Sequence, residues 1–147
     1  MIKNILKYNN EEDREILSKK CEKVENIEEI KELIQDLKDT LHSSFDGRGL
    51  SANQLGVCKQ VCICSWAGEE VVMINPVITR SRGNQKYLEG CLSIPGKYAE
   101  IERAQKVWCT YMDENGDMRE IAEGGRMSNI IQHELDHLQG ECKLYQK

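Results

Sequence analysis

The stretch Gln132-His133-Glu134-Leu135-Asp136-His137 constrains this chain more than any other. It contains His-Glu-x-x-His, a spacing with a direct meaning on a helix. Residues four apart lie one turn apart on the same face, so His133 and His137 can offer two imidazoles to one metal ion. Glu134 adjoins the first imidazole, placed to act as general base toward a metal-activated water. The motif takes two of the three histidines in 147 residues. The bland alternative is a pair of polar residues on an amphipathic helix.

The helix expected here runs from Arg126 to Gln139 and is stopped by Gly140. It carries an apolar row, Met127, Ile131, Leu135 and Leu138, beside a second row of Ile130, His133 and His137. A helix with both rows buried is interior and must be wrapped by other elements. Strands supply the wrapping. Val61-Cys62-Ile63-Cys64-Ser65-Trp66, Glu70 to Ile78, Tyr98 to Ile101, Lys106 to Met112 and Met118 to Ile121 have strand character, with Pro76 ending its strand or lying on an edge. Asp113-Glu114-Asn115-Gly116 is a hairpin turn, and Ser81 to Asn84 is another turn. Before them, Ile27 to Leu41 has apolar residues at helical spacing, with Asn26 as N-cap. Asp46-Gly47-Arg48-Gly49 breaks that helix. The expected class is α+β: mainly antiparallel strands wrapped around a central metal-binding helix, with a packing helix near the N-terminus, in a single domain over residues 1–147.

The net charge of −5 offers no basic footprint for nucleic acid. No run of the chain is long and apolar enough to suggest a membrane span, and Met1 to Tyr8 lacks the features of a leader, so a cytoplasmic location is the expectation. The seven cysteines are an odd number without repeated spacing, as expected for reduced thiols. Cys62 and Cys64, with Cys58 nearby, read better as small apolar strand residues than as ligands. His42 reads as a solvent-side histidine near a helix end.

A catalytic metal needs about three protein ligands and an open position. The third ligand must be a Cys, His, Glu or Asp from elsewhere. Cys91 stands out, in the loop-like Glu89-Gly90-Cys91-Leu92-Ser93-Ile94-Pro95-Gly96, although a cysteine read alone is more often structural.

Three blocks now stand in order: Gly47-Arg48-Gly49-Leu50-Ser51-Ala52-Asn53-Gln54, Glu89-Gly90-Cys91-Leu92-Ser93 and Gln132-His133-Glu134-Leu135-Asp136-His137. In order and spacing they resemble peptide deformylase, over nearly the whole chain. The resemblance implies a hydrolase that removes the formyl group from the N-terminal formyl-methionine of nascent polypeptides. It implies Cys91, His133 and His137 as metal ligands, Glu134 as general base, and the Gln54 side chain and Leu92 backbone N–H as oxyanion donors. One divalent ion is expected, Fe²⁺ preferred, with Zn²⁺, Ni²⁺ or Co²⁺ able to substitute. The formylated peptide would pair as an added strand with Arg48, Gly49 and Leu50 and with Glu89 and Gly90. Its methionine would enter a pocket of Leu50, Leu92, Ile130 and His133. Glu89 would pair with Arg103, and Asp136 is either a further carboxylate behind the site or a surface partner. The partners implied are N-formylmethionyl peptides and the ribosome that presents them, with no direct nucleic-acid site and no membrane.

The chain departs from the family at Ser51 and Asn53 beside Gln54, at Arg126 and Ser128 on the metal helix, and after Gly140, where the tail is short and lacks an extra helix. The alternatives are another metal amidase or protease, and a non-catalytic binder of formylated peptides. A protease with this motif generally takes a third His or Glu, and here the remaining histidine, His42, lies far upstream.

Overall fold

Apolar and β-branched residues dominate the middle of the chain, and they fold into antiparallel strands. In the computed structural model, residues 1–146 are described. The strands are β1 (Gly49–Ser51), β2 (Val61–Trp66), β3 (Glu69–Arg82), β4 (Gln85–Cys91), β5 (Ile94–Arg103), β6 (Lys106–Met112) and β7 (Met118–Gly124). They form a five-stranded sheet in the order β1-β2-β3-β6-β7 and a separate two-stranded sheet, β4-β5. Every pairing is antiparallel. The turn between β2 and β3 is Ala67-Gly68, both with positive φ (52° and 85°), the handedness that a two-residue hairpin needs.

The helices are α1 (Glu11–Leu17), α2 (Lys31–Ser43), α3 (Gly125–Leu138) and the single turn α4 (Lys143–Gln146). None is long and apolar enough to cross a membrane. As expected, α3 is the interior helix: Met127, Ile130, Ile131, His133, His137 and Leu138 are all buried on it. It ends where Gly140 takes φ +80° and passes so close to Ser18 that a Cβ would lie 2.5 Å from that carbonyl oxygen. On one side α3 packs with Cys62, Cys64, Met73, Val107 and Cys109 of the large sheet. These cysteines are core residues, free and fully buried. A second core lies between α2 and the sheet, where Leu37 and Leu41 meet Leu50, Ile63 and Ile74.

Several boundaries differ from expectation. The helix expected over Ile27 to Leu41 begins as a 3-10 turn, Ile27–Ile30, and becomes α-helical from Lys31 to Ser43. Asn26 caps that turn as expected, accepting from the Glu28 N–H at 3.0 Å. β3 does not stop at Pro76, but past Ile74 it pairs with β6 alone, so Pro76 lies on an edge, the other expectation. The register slips between Ile74 and Val77, and this irregularity accommodates a residue without an N–H. The Ser81–Asn84 turn is accordingly shorter, since Ser81 and Arg82 still pair with β6. The stretch Glu89 to Gly96 is not a loop but the tight end of the β4-β5 hairpin. α1 is new, nucleated by Asn10, whose side chain accepts from the Asp13 N–H at 3.0 Å, with Glu11, Glu12 and Asp13 in its first turn. The tail after Gly140 forms the one turn of α4, where no helix was expected.

Candidate active site

Helical spacing brings His133 and His137 together, with their Nε2 atoms 3.1 Å apart. The β4-β5 hairpin brings Cys91 to them. Its register slips between Glu89 and Cys91, a bulge that re-aims the end of β4 toward α3. Gly90 fills the bulge, and a Cβ there would lie 2.7 Å from the Tyr98 ring. Cys91 Sγ comes to rest 3.4 Å from His137 Nε2. The three ligand atoms of Cys91, His133 and His137 all lie within 4.8 Å of one another.

This donor set fits a metal ion. His133 presents its Nδ1 to Glu89 Oε1 at 2.8 Å, which aims Nε2 at the cluster. Burial, and then the charge on neighbouring His133, hold the His137 imidazole well below its ordinary pKa, so it is neutral and ready to ligate. His133 is raised instead: burial opposes its charge, but Glu89 and Glu134 outweigh that. The neighbouring Cys142 thiol, together with burial, pushes the Cys91 thiol well up, so an incoming ion must displace its proton. Cys142 packs there with Tyr8 and Leu144, a contact with no local signal in the sequence.

Glu89 is the hub behind the ligands. Its carboxylate accepts from Arg103 Nε at 2.7 Å and Nη2 at 2.9 Å, and from the Asn129 amide. Burial alone would raise its pKa, but the bonds from Arg103 and His133 bring it down to about 2. Asp136 joins from the other side, its Oδ2 2.6 Å from Arg103 Nη1. Of the two expectations for Asp136, the structure therefore shows the carboxylate behind the site, linked through Arg103 and Glu89 to His133.

Glu134 points the other way. It is 3% exposed, and its Oε1 has no hydrogen-bond partner among the described residues. Burial raises its pKa to about 7, near the value suited to taking and returning a proton at neutral pH. Gly49 makes room for it: a Cβ on Gly49 would lie 2.5 Å from Glu134 Oε2.

Gln54 lies in the 3-10 turn Ala52–Leu55. Its Oε1 accepts from the Ser51 N–H at 2.9 Å. Its Nε2 must therefore point into the site, where it donates to Ser93 Oγ at 2.9 Å and faces Cys91 Sγ at 3.8 Å. The two departures beside it have structural work. Asn53 Nδ2 donates to the His137 carbonyl at 2.7 Å, and the Ser51 hydroxyl donates to Asn53 Oδ1 at 2.6 Å. They lash the glutamine turn to the end of the metal helix.

The groups surround one pocket of about 340 Å³, lined by Arg48, Gly49, Glu89, Gly90, Leu92 and Ile130 together with Gln54, Cys91, His133 and Glu134. Leu50 is the exception. Alternation along β1 turns its side chain, fully buried, into the α2 core and away from the pocket wall. His42 is elsewhere, on the surface, 2.6 Å from Glu70. Asn129 and Ser93 went unnoticed as site residues in the sequence. Their partners, Glu89 and Gln54, are 40 and 39 residues away, so no local pattern marks them.

The profile of the family described as polypeptide deformylase matches residues 2–146. A peptide deformylase of Aquifex aeolicus is 42% identical over 95% of this chain and 84% of its own length. The crystal structure of peptide deformylase from Thermotoga maritima superposes with a TM-score of 0.90 at 28% identity, covering 99% of this chain and 97% of that one. That of the Legionella pneumophila enzyme gives 0.89 at 35% identity over 97% and 83%. The family removes the N-terminal formyl group of nascent peptides and depends on a metal. A match along almost its entire length, around a Cys-His-His group that could hold such an ion, makes this chain a member of the polypeptide deformylase family.

Proposed function

We propose that Cys91, His133 and His137 hold one divalent ion, Fe²⁺ by preference, and that Glu134 moves the proton in hydrolysis of the formyl–nitrogen bond of formyl-methionyl peptides. The observation that carries this is the buried Glu134 carboxylate, unpartnered at Oε1 and tuned to about 7, beside three converging ligand atoms. One thiolate and two imidazoles are a soft-to-borderline set that suits such an ion. When bound, the ion supplies Lewis acidity, lowering the pKa of water and polarising the formyl oxygen.

The protein's own groups do the rest. Glu134 takes a proton from the attacking water as its oxygen bonds to the formyl carbon. The Gln54 amide and the Leu92 backbone N–H donate to the oxyanion that develops. Ser51 keeps the amide the right way round for that task. Glu134 then returns the proton to the departing nitrogen, the carbon–nitrogen bond breaks, and formate and a free N-terminus leave.

Binding follows from the sheet edges. β1 ends the large sheet, and β4 pairs with β5 alone. A peptide between them can hydrogen-bond to Arg48, Gly49 and Leu50 on one side and to Glu89 and Gly90 on the other, as an added strand. Leu92, Ile130 and His133 then flank the methionine. Nascent chains offer that end at the ribosome, the macromolecular partner this assignment implies, in the cytoplasm.

The test is formate release from formyl-Met-Ala-Ser by anaerobically purified, Fe²⁺- or Ni²⁺-loaded protein, with Glu134→Ala as control. Release that vanishes in the control is expected. No release at stoichiometric metal, or equal release by the control, refutes the assignment.

A further inference from the structure

Hydrolysis makes no use of the charge at the mouth of the pocket. The reacting end lies where Gly49 abuts Glu134 and Cys91 meets the histidines. Immediately before β1 is Arg48, and three residues back along β4 is Leu88, whose carbonyl accepts from Arg126 Nη1 at 3.0 Å. Arg126 is pinned a second time, to Asn129 Oδ1 at 3.0 Å. Arg48 and Arg126 share one indole, with guanidinium carbons 4.9 Å and 6.0 Å from the Trp66 ring centroid. Lys97 lines the same opening from the β5 side.

None of these three cations has a carboxylate within 4.0 Å among the described residues. Of the acids lining the pocket, Glu89 is neutralised by Arg103 and Glu134 is buried, which leaves Asp46. In a chain of net charge −5, three unpaired cations are gathered around one opening. Such clustering costs stability through self-repulsion. Aromatic shelter accounts for part of this, since Arg48 covers Trp66 and Arg126 also lies 5.2 Å from the Tyr87 ring centroid, but both charges stay without a carboxylate and Lys97 has no such ring among the described residues.

We infer that this mouth selects formylated peptides that carry Asp or Glu at the second and third positions. The inference rests on the deformylase assignment above. With the formyl group at Glu134 and an extended backbone advancing about 3.4 Å per residue, the second and third side chains leave on opposite faces of the strand at the opening that Arg48, Lys97 and Arg126 line. Two of the three cations are held in place before the peptide arrives, so little ordering is needed on binding.

The experiment compares kcat/KM for formyl-Met-Glu-Glu, formyl-Met-Gln-Gln and formyl-Met-Lys-Lys with the metal-loaded protein. The Glu peptide should exceed its Gln isostere by about tenfold at low salt, with the Lys peptide lowest, and the spread should shrink as ~1 M salt cuts the screening length to ~3 Å. In a Lys97→Gln/Arg126→Gln variant the Glu-to-Gln ratio should fall toward one. Inactive protein cancels in that ratio, so partial misfolding cannot mimic the result. Calorimetry with the unformylated products Met-Glu-Glu and Met-Lys-Lys reads the preference without chemistry. If no formyl peptide is turned over, the assignment of function fails while a product preference still upholds the acidic selection. Equal values for all three substrates, a ratio indifferent to salt or to the variant, or equal product affinities where no substrate turns over would overturn it.

Discussion

Gly49→Ala should separate catalysis from folding. Gly49 lies in strand β1 and is not among the positive-φ glycines, so alanine adds no backbone strain. The added methyl would lie 2.5 Å from Glu134 Oε2 and 2.8 Å from its Cδ and Cγ. Carbon contacts are comfortable from about 3.5 Å, so the carboxylate must retreat by about 1 Å. No hydrogen bond holds its Oε1 in place among the described residues. The fold should therefore give way at the cheapest point, the far end of the Glu134 side chain. A misplacement of about 1 Å at a reacting group costs on the order of 10²-fold, about 2.7 kcal/mol in the barrier. Formate-release kinetics on formyl-Met-Ala-Ser should show kcat reduced by that factor, with bound metal unchanged and Tm within about 3 °C of the parent. A kcat within about threefold of the parent would refute the role given to Glu134. A collapse of Tm would show instead that Gly49 serves packing.

Arg103→Leu should destabilise the protein by about 3–5 kcal/mol in urea unfolding, because it strands a buried carboxylate, and Glu89→Gln added to it should recover part of the loss. Acid should act through the same pair. Glu89 titrates at about 2 when folded against an ordinary value of 4.5. A lowered folded pKa gives stability that is complete above the unfolded value and lost as pH falls toward the folded one. The urea midpoint should therefore begin to drop below about pH 4.5 and continue toward 2, and Arg103→Leu should flatten that drop; an unchanged slope would count against the pair. Asn53→Ala removes a buried donor from the His137 carbonyl and should cost about 1–3 kcal/mol, with kcat lowered more than KM is raised. A kinetically silent Asn53→Ala would mean that the Gln54 turn needs no tether.

The parts of the site that were legible in the sequence are those whose geometry is local. His133, Glu134 and His137 sit on one helix, and 3.6-residue periodicity alone brings the imidazoles together. Cys91 lies across 46 residues from His137; the need for a third ligand made it a candidate, and only the resemblance to a known motif set it apart from a structural cysteine. The β4 strand was misread because Glu89 faces inward. A carboxylate where an apolar residue belongs breaks the alternation, and it can stand there because Arg103, 14 residues on, neutralises it. α1 carried a readable cap, Asn10 with three acids behind it, but too few apolar residues to signal a helix. The roles of Ser51 and Asn53 appear only in three dimensions. Their partners are each other, Gln54 and a carbonyl 84 residues downstream.

The two unpaired sheet edges flanking the pocket set a deadline. A peptide lying between β1 and β4 would become the strand that joins the two sheets into one, and its first residues must bring their own N–H and C=O groups unspent. A polypeptide whose beginning has already coiled into a helix or paired into a sheet has no such groups to offer. On this geometry the enzyme competes with its substrate's own folding. Each new protein can be processed while its leading residues are still loose, and it passes out of reach once they find partners of their own.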